Sequence, residues 1–517
     1  MSKHIVPVTT EVVRFKQHLN LDSNIRILFS APFGAGKSSF IDTFFSDTKD
    51  YLAIKIFPTN YSVASNKDIF ELIKFDILSS IFEDFSNYVE LDKEEFSAFV
   101  MGQVFVSNQM DFLSLSQAIA KAIIPKAKEG IELVNVIKEI FETFKNYKDD
   151  LKRTDEDSII EYLVSFRMKS GSIKEQDFFT QKIKQYLNLI RDATNKKLVL
   201  VIDDLDRLDA EHVFRLFNIF TAHHDSKLDK NKFGFDKIIM VCDINTVEHL
   251  FFHKYGSKAE FNGYIDKFYS HFIFRFNNKK YLKENINKLI SQKNDLAKNH
   301  GGTLAGVWLS LFGYNQSDFY TVFHNVISDL IEIDLIKIRN FQRFQEYSLP
   351  HTVQKFSNNG DFLSDEYSFL VLMHLLNQFF PRLSDLEAAL ISLYKNYNSD
   401  YKTGENYFDS SRQVDSLLIK YSLPFLGATE SLTNDRKENK VEFTSEQDSR
   451  IIIIFQNNNS TLDDGIEYLR CVSKIELNTN EGKYDGHTIN RPNPYWFLYK
   501  AYLECRKRRY TIGLNER

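Results

Sequence analysis

Apolar and polar residues alternate along the first part of the chain in patterns typical of short strands and amphipathic helices. Residues 25–29, IRILF, form a mostly apolar run that predicts a largely buried strand. From Lys37 onwards apolar side chains recur at helical spacing, and residues 51–57, YLAIKIF, predict a second strand. A further helical pattern covers residues 68–82. The chain therefore begins with a β-α-β-α unit.

Three more apolar runs extend this sheet after a long interruption. They are residues 198–202, 237–242 and 272–276, and a helical pattern follows each of them. From about residue 84 to residue 195 the chain carries only amphipathic helical patterns, which we interpret as a helical insertion. Strands that alternate with helices predict an α/β fold with a parallel sheet flanked by helices.

The first strand and the first helix are joined by the segment Ser30-Ala-Pro-Phe-Gly-Ala-Gly-Lys-Ser-Ser39, which has the composition of a phosphate-binding loop. Glycines let successive backbone N–H groups surround phosphate oxygens at the positive end of the helix dipole. We expect Lys37 to reach the β- and γ-phosphates and the Ser38 hydroxyl to ligate Mg²⁺. Ala31 occupies the position of the first glycine in GxxxxGK(S/T), and we expect it to be tolerated there.

Acidic residues follow the strand at residues 198–202 in the order Asp203-Asp204-Leu-Asp206-Arg207. We expect this strand to deliver them opposite a phosphate loop on a neighbouring strand, with Asp203 on the metal and Asp204 on the attacking water. The alternative is capping of the next helix, which we apply to some of Asp206 and Asp209.

Arg207 follows these acids at the edge of the predicted site. It could reach the nucleotide of a neighbouring subunit and stabilise transition-state charge there. The alternative is a local salt bridge to Asp204, Asp206 or Asp209.

The amino-acid composition indicates the general class of protein but reveals no further functional site. The 517 residues are 43% hydrophobic, contain 47 Phe but only 9 Pro, and carry a net charge of −5, so they predict a helix-rich globular protein with no overall attraction to nucleic acid. The basic run at residues 506–509 leaves nucleic-acid binding a weakly supported option. Three cysteines and the lack of a signal-like or membrane-spanning apolar run predict a cytoplasmic protein without a transmembrane span.

These patterns predict five parts. Residues 1–83 hold the first half of the nucleotide core, 84–195 the helical insertion, 196–280 the second half with the acidic motif, 281–357 a helical lid, and 358–517 a helix-rich C-terminal module. Within the last part, residues 358–361 are interpreted as a linker, residues 362–380 as a helix and residues 451–455, IIIIF, as an isolated strand.

Three motifs in this order, APFGAGKSSF, LVLVIDDLDRL and the tract FNGYIDKFYSHFIF followed by RNFQRF, resemble those of the KAP-type P-loop NTPases. The resemblance covers about residues 25–82 and 198–344. The loop residues that match the family's motif, and are thereby implied to bind the nucleotide, are Phe33, Gly34, Ala35, Gly36, Lys37, Ser38 and Ser39.

The resemblance implies a P-loop NTPase fold, ATP and Mg²⁺ as cofactors, and a molecular switch that assembles into homo-oligomers. It also implies a role in bacterial anti-phage defence or signalling, with an effector or sensor protein as partner. We therefore expect an ATP-hydrolysing enzyme in which Lys37, Asp204 and Arg207 are catalytic. The alternative is a nucleotide-gated scaffold with little hydrolysis that acts through protein or membrane-surface contacts.

Overall fold

The structure of the chain is a computed structural model. The described residues are 9–61, 69–85, 87–89, 178–222, 224–225, 230–231, 233–291, 318–343, 353–356, 360–363, 368–397, 410–427, 438–444, 450–461, 467–471, 474–476 and 493–508. Most of the predicted helical insertion lies outside them. The chain separates into two compact units, Met1–Asn277 and Asn278–Arg517, and the finer five-part division stays a prediction.

The first unit is built on a parallel sheet with helices around it. The strands of this sheet are β1 (Arg26–Ser30), β2 (Tyr51–Ile56), β3 (Lys197–Ile202), β6 (Lys237–Cys242) and the short β7 (Phe274–Arg275). Two further short strands, β4 (His224–Asp225) and β5 (Lys230–Asn231), pair with each other. The helices are α1 (Thr9–Asn20), α2 (Lys37–Asp47), α3 (Ile69–Phe85), α4 (Phe178–Thr194), α5 (Ala210–Ala222), α6 (Ile244–Tyr255) and α7 (Phe261–Ile265). The predicted α/β class is confirmed.

The five strands of the main sheet lie in the order β2-β3-β6-β1-β7, and every neighbouring pair is parallel. The acidic motif was predicted to lie on a strand next to the one that precedes the phosphate loop, and this is wrong, because β6 lies between β3 and β1. All five strands nevertheless end at the same edge of the sheet. The end of β6 therefore joins the two motifs that the sequence pattern placed side by side.

Burial of the central strands on both faces explains their continuous apolar sequences. All six residues of β6 are buried, as are five of the six in β3 and four of the five in β1. A strand covered on both faces gains from an apolar side chain at every position, whereas a half-covered strand alternates. β2 lies at an edge of the sheet, and its buried residues are interspersed with half-buried ones, as expected for an edge strand.

Aromatic side chains hold α1 and α2 against the sheet. The ring of Phe15 on α1 is fully buried, and its centroid lies 5.3 Å from that of Phe29, 4.8 Å from that of Phe44 and 5.0 Å from that of Phe274. These partners belong to β1, α2 and β7. Edge-on packing of this kind stabilises beyond the area it buries, so Phe15 fixes the helix that follows the phosphate loop.

The second unit contains helices and antiparallel strands. Its helices are α8 (Lys279–Glu284), α9 (Ile286–Ser291), α10 (Asp318–Glu332), α11 (Ile338–Arg343), α12 (Ser368–Asn377), α13 (Leu383–Asn396), α14 (Ser410–Gly427) and α15 (Pro494–Lys507). Its strands are β8 (Val353–Phe356), β9 (Gly360–Leu363), β10 (Glu438–Thr444), β11 (Arg450–Thr461), β12 (Glu467–Cys471) and β13 (Lys474–Glu476).

Two local predictions for this unit are wrong. Residues 451–455 do not form an isolated strand, because β11 pairs with β10, β12 and β13 in an antiparallel sheet. The predicted linker at residues 358–361 overlaps β9, which pairs with β8, and β9 also takes the place of the first residues of the helix predicted from residue 362. In both cases the missing information was the partner strand, which lies at a distance along the sequence.

The basic run at the end of α15 faces carboxylates within its own unit. Arg506 pairs with Glu387 of α13, and Lys507 and Arg508 lie near Glu504, at 3.8 Å each. These pairs partly neutralise the run, which reduces its attraction for phosphate groups. In the described ranges, no helix has both the length and the apolar character needed to cross a membrane.

Truncation of Phe15 tests the packing of α1. We expect Phe15→Ala to lower the free energy of unfolding by about 3–5 kcal/mol, because it removes a buried ring that contacts two strands and a helix. Chemical denaturation followed by far-UV circular dichroism measures the loss. Val13→Ala, on the same helix but 57% exposed, is the control and should change little. Equal effects of the two substitutions would contradict the packing role.

Candidate functional site

The loop between β1 and α2 has the backbone of an anion cradle. Gly34 and Gly36 have positive φ angles of 82° and 90°, which bend the chain back towards the helix start. Gly36 is the N-cap of α2 and offers no side chain to cap it. The N–H groups at this helix end are therefore available to an anion, and the helix dipole favours negative charge there.

Ala31 shows why a glycine is unnecessary at the first position of the loop. Its φ is not positive, and its N–H donates to the carbonyl of Cys242 at the end of β6, at 3.2 Å. Its own carbonyl accepts a hydrogen bond from the Lys37 ammonium at 2.9 Å. The backbone groups of Ala31 therefore fix the loop to the sheet. Because no positive φ is needed there, alanine can replace the glycine, as expected from the sequence.

Lys37 is held inside the loop by a carboxylate that lies far away in sequence. The side chain is only 5% exposed, and its Nζ lies 3.3 Å from Oδ2 of Asp206, whose side chain is equally buried. A lone ammonium buried to this extent would be costly. Asp206 and the Ala31 carbonyl therefore stabilise the cation that phosphates would meet.

Asp206 is the residue that the sequence interpretation missed. Capping explains only Asp209, whose Oδ1 accepts from the N–H of His212 in the first turn of α5. The Oδ2 of Asp206 accepts instead from the N–H of Asp243, at 3.0 Å, and ties the turn after β3 to the end of β6. Its Oδ1 is buried and has no hydrogen-bond partner among the described residues. The sequence feature that could have indicated this role is the spacing of the two acids, because Asp206 lies three residues after Asp203, within a single turn.

Asp203 faces a second lysine rather than Lys37. It is fully buried, and its Oδ1 accepts from the N–H of Asp204 at 2.8 Å. Its Oδ2 lies 2.9 Å from Nζ of Lys55 on β2, and this ammonium also donates to Oδ1 of Asp42 on α2 at 2.8 Å. Burial lowers the pKa of Lys55, but the charges and hydrogen bonds of Asp203 and Asp42 outweigh it, so the net pKa is raised.

Lys55 also had a signal in the sequence. It is the only charged residue of β2, and that strand pairs directly with the one that carries the acids, with Ile56 opposite Ile202. A cation on the strand beside two consecutive acids is placed to pair with one of them. The pairing of β2 with β3 was the information needed to see it.

Asp204 combines several unfavourable features. Its backbone is left-handed, with φ 57° and ψ 33°, and its side chain is 17% exposed. Burial and the neighbouring charge of Asp203 raise its pKa, while Arg207 partly offsets this. Non-glycine residues in this backbone region and carboxylates of raised pKa are both concentrated at functional sites.

Arg207 forms the predicted local salt bridge. Its Nε lies 3.3 Å from Oδ1 of Asp204, and its side chain is 50% exposed. The guanidinium also covers the ring of Phe33 in the phosphate loop, at 5.3 Å from the ring centroid. The arginine thus connects the two motifs across the edge of the sheet, while its predicted action on a neighbouring subunit remains a prediction.

Ser38, Ser39 and Asp243 complete the edge. Ser38 and Ser39 lie partly buried in the first turn of α2. Asp243, at the end of β6, caps α6 by accepting from the N–H of Asn245 at 3.1 Å. The roles of Ser38 and Ser39 in nucleotide binding stay predictions.

The oxygen groups at this edge suit a hard divalent cation. The Ser38 hydroxyl and the carboxylates of Asp203 and Asp206 are ligands of the kind that Mg²⁺ takes, usually together with phosphate oxygens and water. The buried, unpartnered Oδ1 of Asp206 is an acceptor that a hydrated cation could satisfy. Within the ranges described, no group of three or more His, Cys, Asp or Glu side chains could hold a metal ion. A cation at this edge would therefore also need the Ser38 hydroxyl, phosphate oxygens or water as ligands.

Comparison of the sequence with known families relates the residues of this site to one family. A family model described as the KAP family P-loop domain matches residues 15–346, which is more than half of the chain. The match includes the phosphate loop, β2 and the acidic turn. The comparisons with curated proteins and with solved structures found no match.

The raised pKa of Asp204 leads to a prediction about stability. In the folded state this carboxyl binds its proton more strongly than in the unfolded chain, so its contribution to stability is lost as the pH rises through the folded pKa. Asp204→Asn should therefore raise the midpoint of thermal unfolding at pH 7, and this gain should shrink as the pH is lowered towards 4.

The control is Asp209→Asn, which keeps an oxygen to cap α5. Burial would raise the pKa of Asp209, but its hydrogen bonds to the Glu211 and His212 backbone and to the His212 ring, with the charge of that ring, outweigh this and lower it. The substitution should lower the unfolding midpoint at pH 7, the opposite sign. A loss of stability in Asp204→Asn at pH 7 would show that its salt bridge with Arg207 outweighs the repulsion.

Proposed function

This chain belongs to the KAP family of P-loop NTPases, and we propose that it is an ATP-binding and ATP-hydrolysing molecular switch that requires Mg²⁺. Membership of this family supports the binding of a nucleotide, without specifying which one. The observation that carries the proposal is the buried Lys37, whose ammonium is held at the mouth of a glycine cradle by Asp206. The choice of ATP as the nucleotide rests on the resemblance of the sequence motifs.

Binding in this proposal begins with an exchange of partners at Lys37. Phosphate oxygens carry more negative charge than one carboxylate and offer several acceptors, so they can draw the ammonium away from Asp206. The loop residues 33–39 supply backbone N–H groups and the start of α2. This exchange leaves the Asp206 carboxylate without its ammonium partner. Its Oδ2 still accepts from the N–H of Asp243, and its Oδ1 has no hydrogen-bond partner among the described residues.

The metal site is proposed to use Ser38 and Asp203, with Asp206 as a further oxygen ligand directly or through water. When bound there, Mg²⁺ would neutralise phosphate charge during phosphoryl transfer. Oδ2 of Asp203 has to be released from Lys55 before it can serve the cation, whereas Oδ1 of Asp206 has no hydrogen-bond partner among the described residues. The nucleotide would then complete the site, because its phosphates draw Lys37 away from Asp206.

Asp204 is proposed to orient the attacking water. Its raised pKa, caused by burial and by the charge of Asp203, makes it a better proton acceptor than an exposed aspartate. Its salt bridge to Arg207 occupies one of its oxygens. Movement of Arg207 would free the carboxylate, which couples the proposed general base to the proposed catalytic arginine.

The same contacts support the alternative function, a nucleotide-gated scaffold that hydrolyses ATP slowly. Asp203, Asp204 and Asp206 each face a basic side chain. Such pairing favours low activity until a partner changes it. Assembly into homo-oligomers, an effector or sensor partner, and a role in bacterial anti-phage defence or signalling rest on the resemblance to the family.

Substitution of Lys37 tests the proposed nucleotide site. We expect Lys37→Ala to abolish tight binding of ATP while the protein stays folded, because the principal cation for the phosphates is lost. Equilibrium binding of a fluorescent ATP analogue and phosphate release, both with Mg²⁺, measure this. Lys16→Ala, which breaks an exposed pair with Asp50, is the control and should match the unsubstituted protein. Unchanged affinity in folded Lys37→Ala would reject the site.

A mixing experiment tests Arg207. If this arginine acts on a neighbouring subunit, Arg207→Ala and Lys37→Ala proteins combined should recover phosphate release that neither shows alone. Each variant then supplies the half of a shared site that the other lacks, and an arginine of this kind can accelerate hydrolysis by about 10³–10⁵-fold. Subunit exchange is confirmed first by fluorescence transfer between labelled chains. No recovery under exchange would leave Arg207 as the local partner of Asp204.

A further inference from the structure

Lys55 lies between two carboxylates of unequal exposure. Its Nζ is 2.9 Å from Oδ2 of Asp203, which is fully buried, and 2.8 Å from Oδ1 of Asp42, whose side chain is 43% exposed. Asp42 belongs to α2, the helix that starts at the phosphate loop. One ammonium therefore joins the strand that carries the acidic motif to the helix that carries Lys37 and Ser38.

This arrangement leaves one oxygen of the Asp203 carboxylate in a hydrogen bond and the other in an ion pair. Oδ1 accepts from the N–H of Asp204, which is fixed by the turn that follows β3, and Oδ2 faces Lys55. A cation that binds Asp203 has to displace one of these groups. The lysine is the one that can leave, because its flexible side chain is already in contact with a second acceptor while the backbone N–H cannot move alone.

We propose that Lys55 is a positioning residue that competes with the divalent cation for Asp203, and that Asp42 retains the ammonium when the cation takes its place. This inference rests on the proposed function, since it assigns a cation to the same site. It goes beyond that function by making cation affinity depend on a lysine of β2. The apparent affinity for the cation would then be the intrinsic affinity multiplied by the fraction of molecules in which Lys55 has left Asp203.

Charge accounts for the direction of the exchange. A divalent cation offers Asp203 twice the charge of an ammonium, and Asp42, at the partly exposed side, can keep Lys55 paired so that no charge is left without a partner. Without Asp42, the ammonium would have Asp203 as its remaining carboxylate. The two aspartates should thus have opposite effects on cation binding.

Titration with Mg²⁺ at a fixed concentration of fluorescent ATP analogue tests the competition in the full chain. We expect Lys55→Met to lower the Mg²⁺ concentration at half-maximal binding by about tenfold. Asp42→Asn should raise it, and this substitution leaves the buried pair in place, so it decides the question even if Lys55→Met fails to fold. Lys55→Arg keeps the positive charge and should stay close to the unsubstituted protein.

Lys197→Met is the matched control. Lys197 begins β3, at the opposite end of the strand from Asp203, and pairs there with the exposed Asp22. The substitution removes the same charge from the same sheet and should leave the Mg²⁺ titration unchanged. An equal shift in Lys197→Met and Lys55→Met would mean that only the overall charge matters, and would overturn the proposal.

A second titration separates this proposal from the proposed function. Binding of Mn²⁺ alone, followed by electron paramagnetic resonance, should tighten in Lys55→Met, and adding Asp203→Asn to that variant should cancel the gain. If no variant binds the ATP analogue, the proposed function fails and the Mn²⁺ result still decides the role of Lys55. Titrations of Lys55→Met and Asp42→Asn that coincide with that of the unsubstituted protein would overturn it, leaving Lys55–Asp203 as a permanent structural pair.

Discussion

Two buried lysine–aspartate pairs at the carboxyl edge of the parallel sheet determine how the first unit is arranged. Lys37 with Asp206 joins the phosphate loop to the turn after β3, and Lys55 with Asp203 joins β2 and α2 to the end of the same strand. A buried charge without its partner is strongly destabilising, so each pair requires both of its elements to be in place. The sheet order matters because it brings these separated segments to one edge.

The parts of this site that follow from local sequence could be predicted. The phosphate loop was visible because glycines, a lysine and a serine occur between a strand pattern and a helix pattern, and β3 was visible because five consecutive apolar residues lead into acids. Such strands are apolar throughout because both faces of the sheet are covered. The glycine conformations at Gly34 and Gly36 agree with this interpretation.

The partners within the site could not be predicted from local sequence. The position of β6 between β3 and β1 depends on which strands pair, and strand pairing joins residues that are far apart in the chain. The sequence also could not show which of three nearby acids faces Lys37. That choice depends on the backbone of the turn at residues 203–206, and the same lack of long-range information hid the strands that pair with β11.

The left-handed conformation of Asp204 explains how two acids three residues apart reach different lysines. With φ at 57° this residue ends β3 abruptly and starts a 3₁₀ turn, so that Asp203 stays beside β2 while Asp206 turns towards the phosphate loop. Aspartate tolerates this backbone better than most residues, but at some cost, and its carboxylate is placed near two others. A residue chosen for stability alone would avoid both penalties. Their coincidence at the edge of the sheet agrees with the chemistry proposed for the site, in which Asp203 and Asp206 hold the cation and Asp204 orients the water.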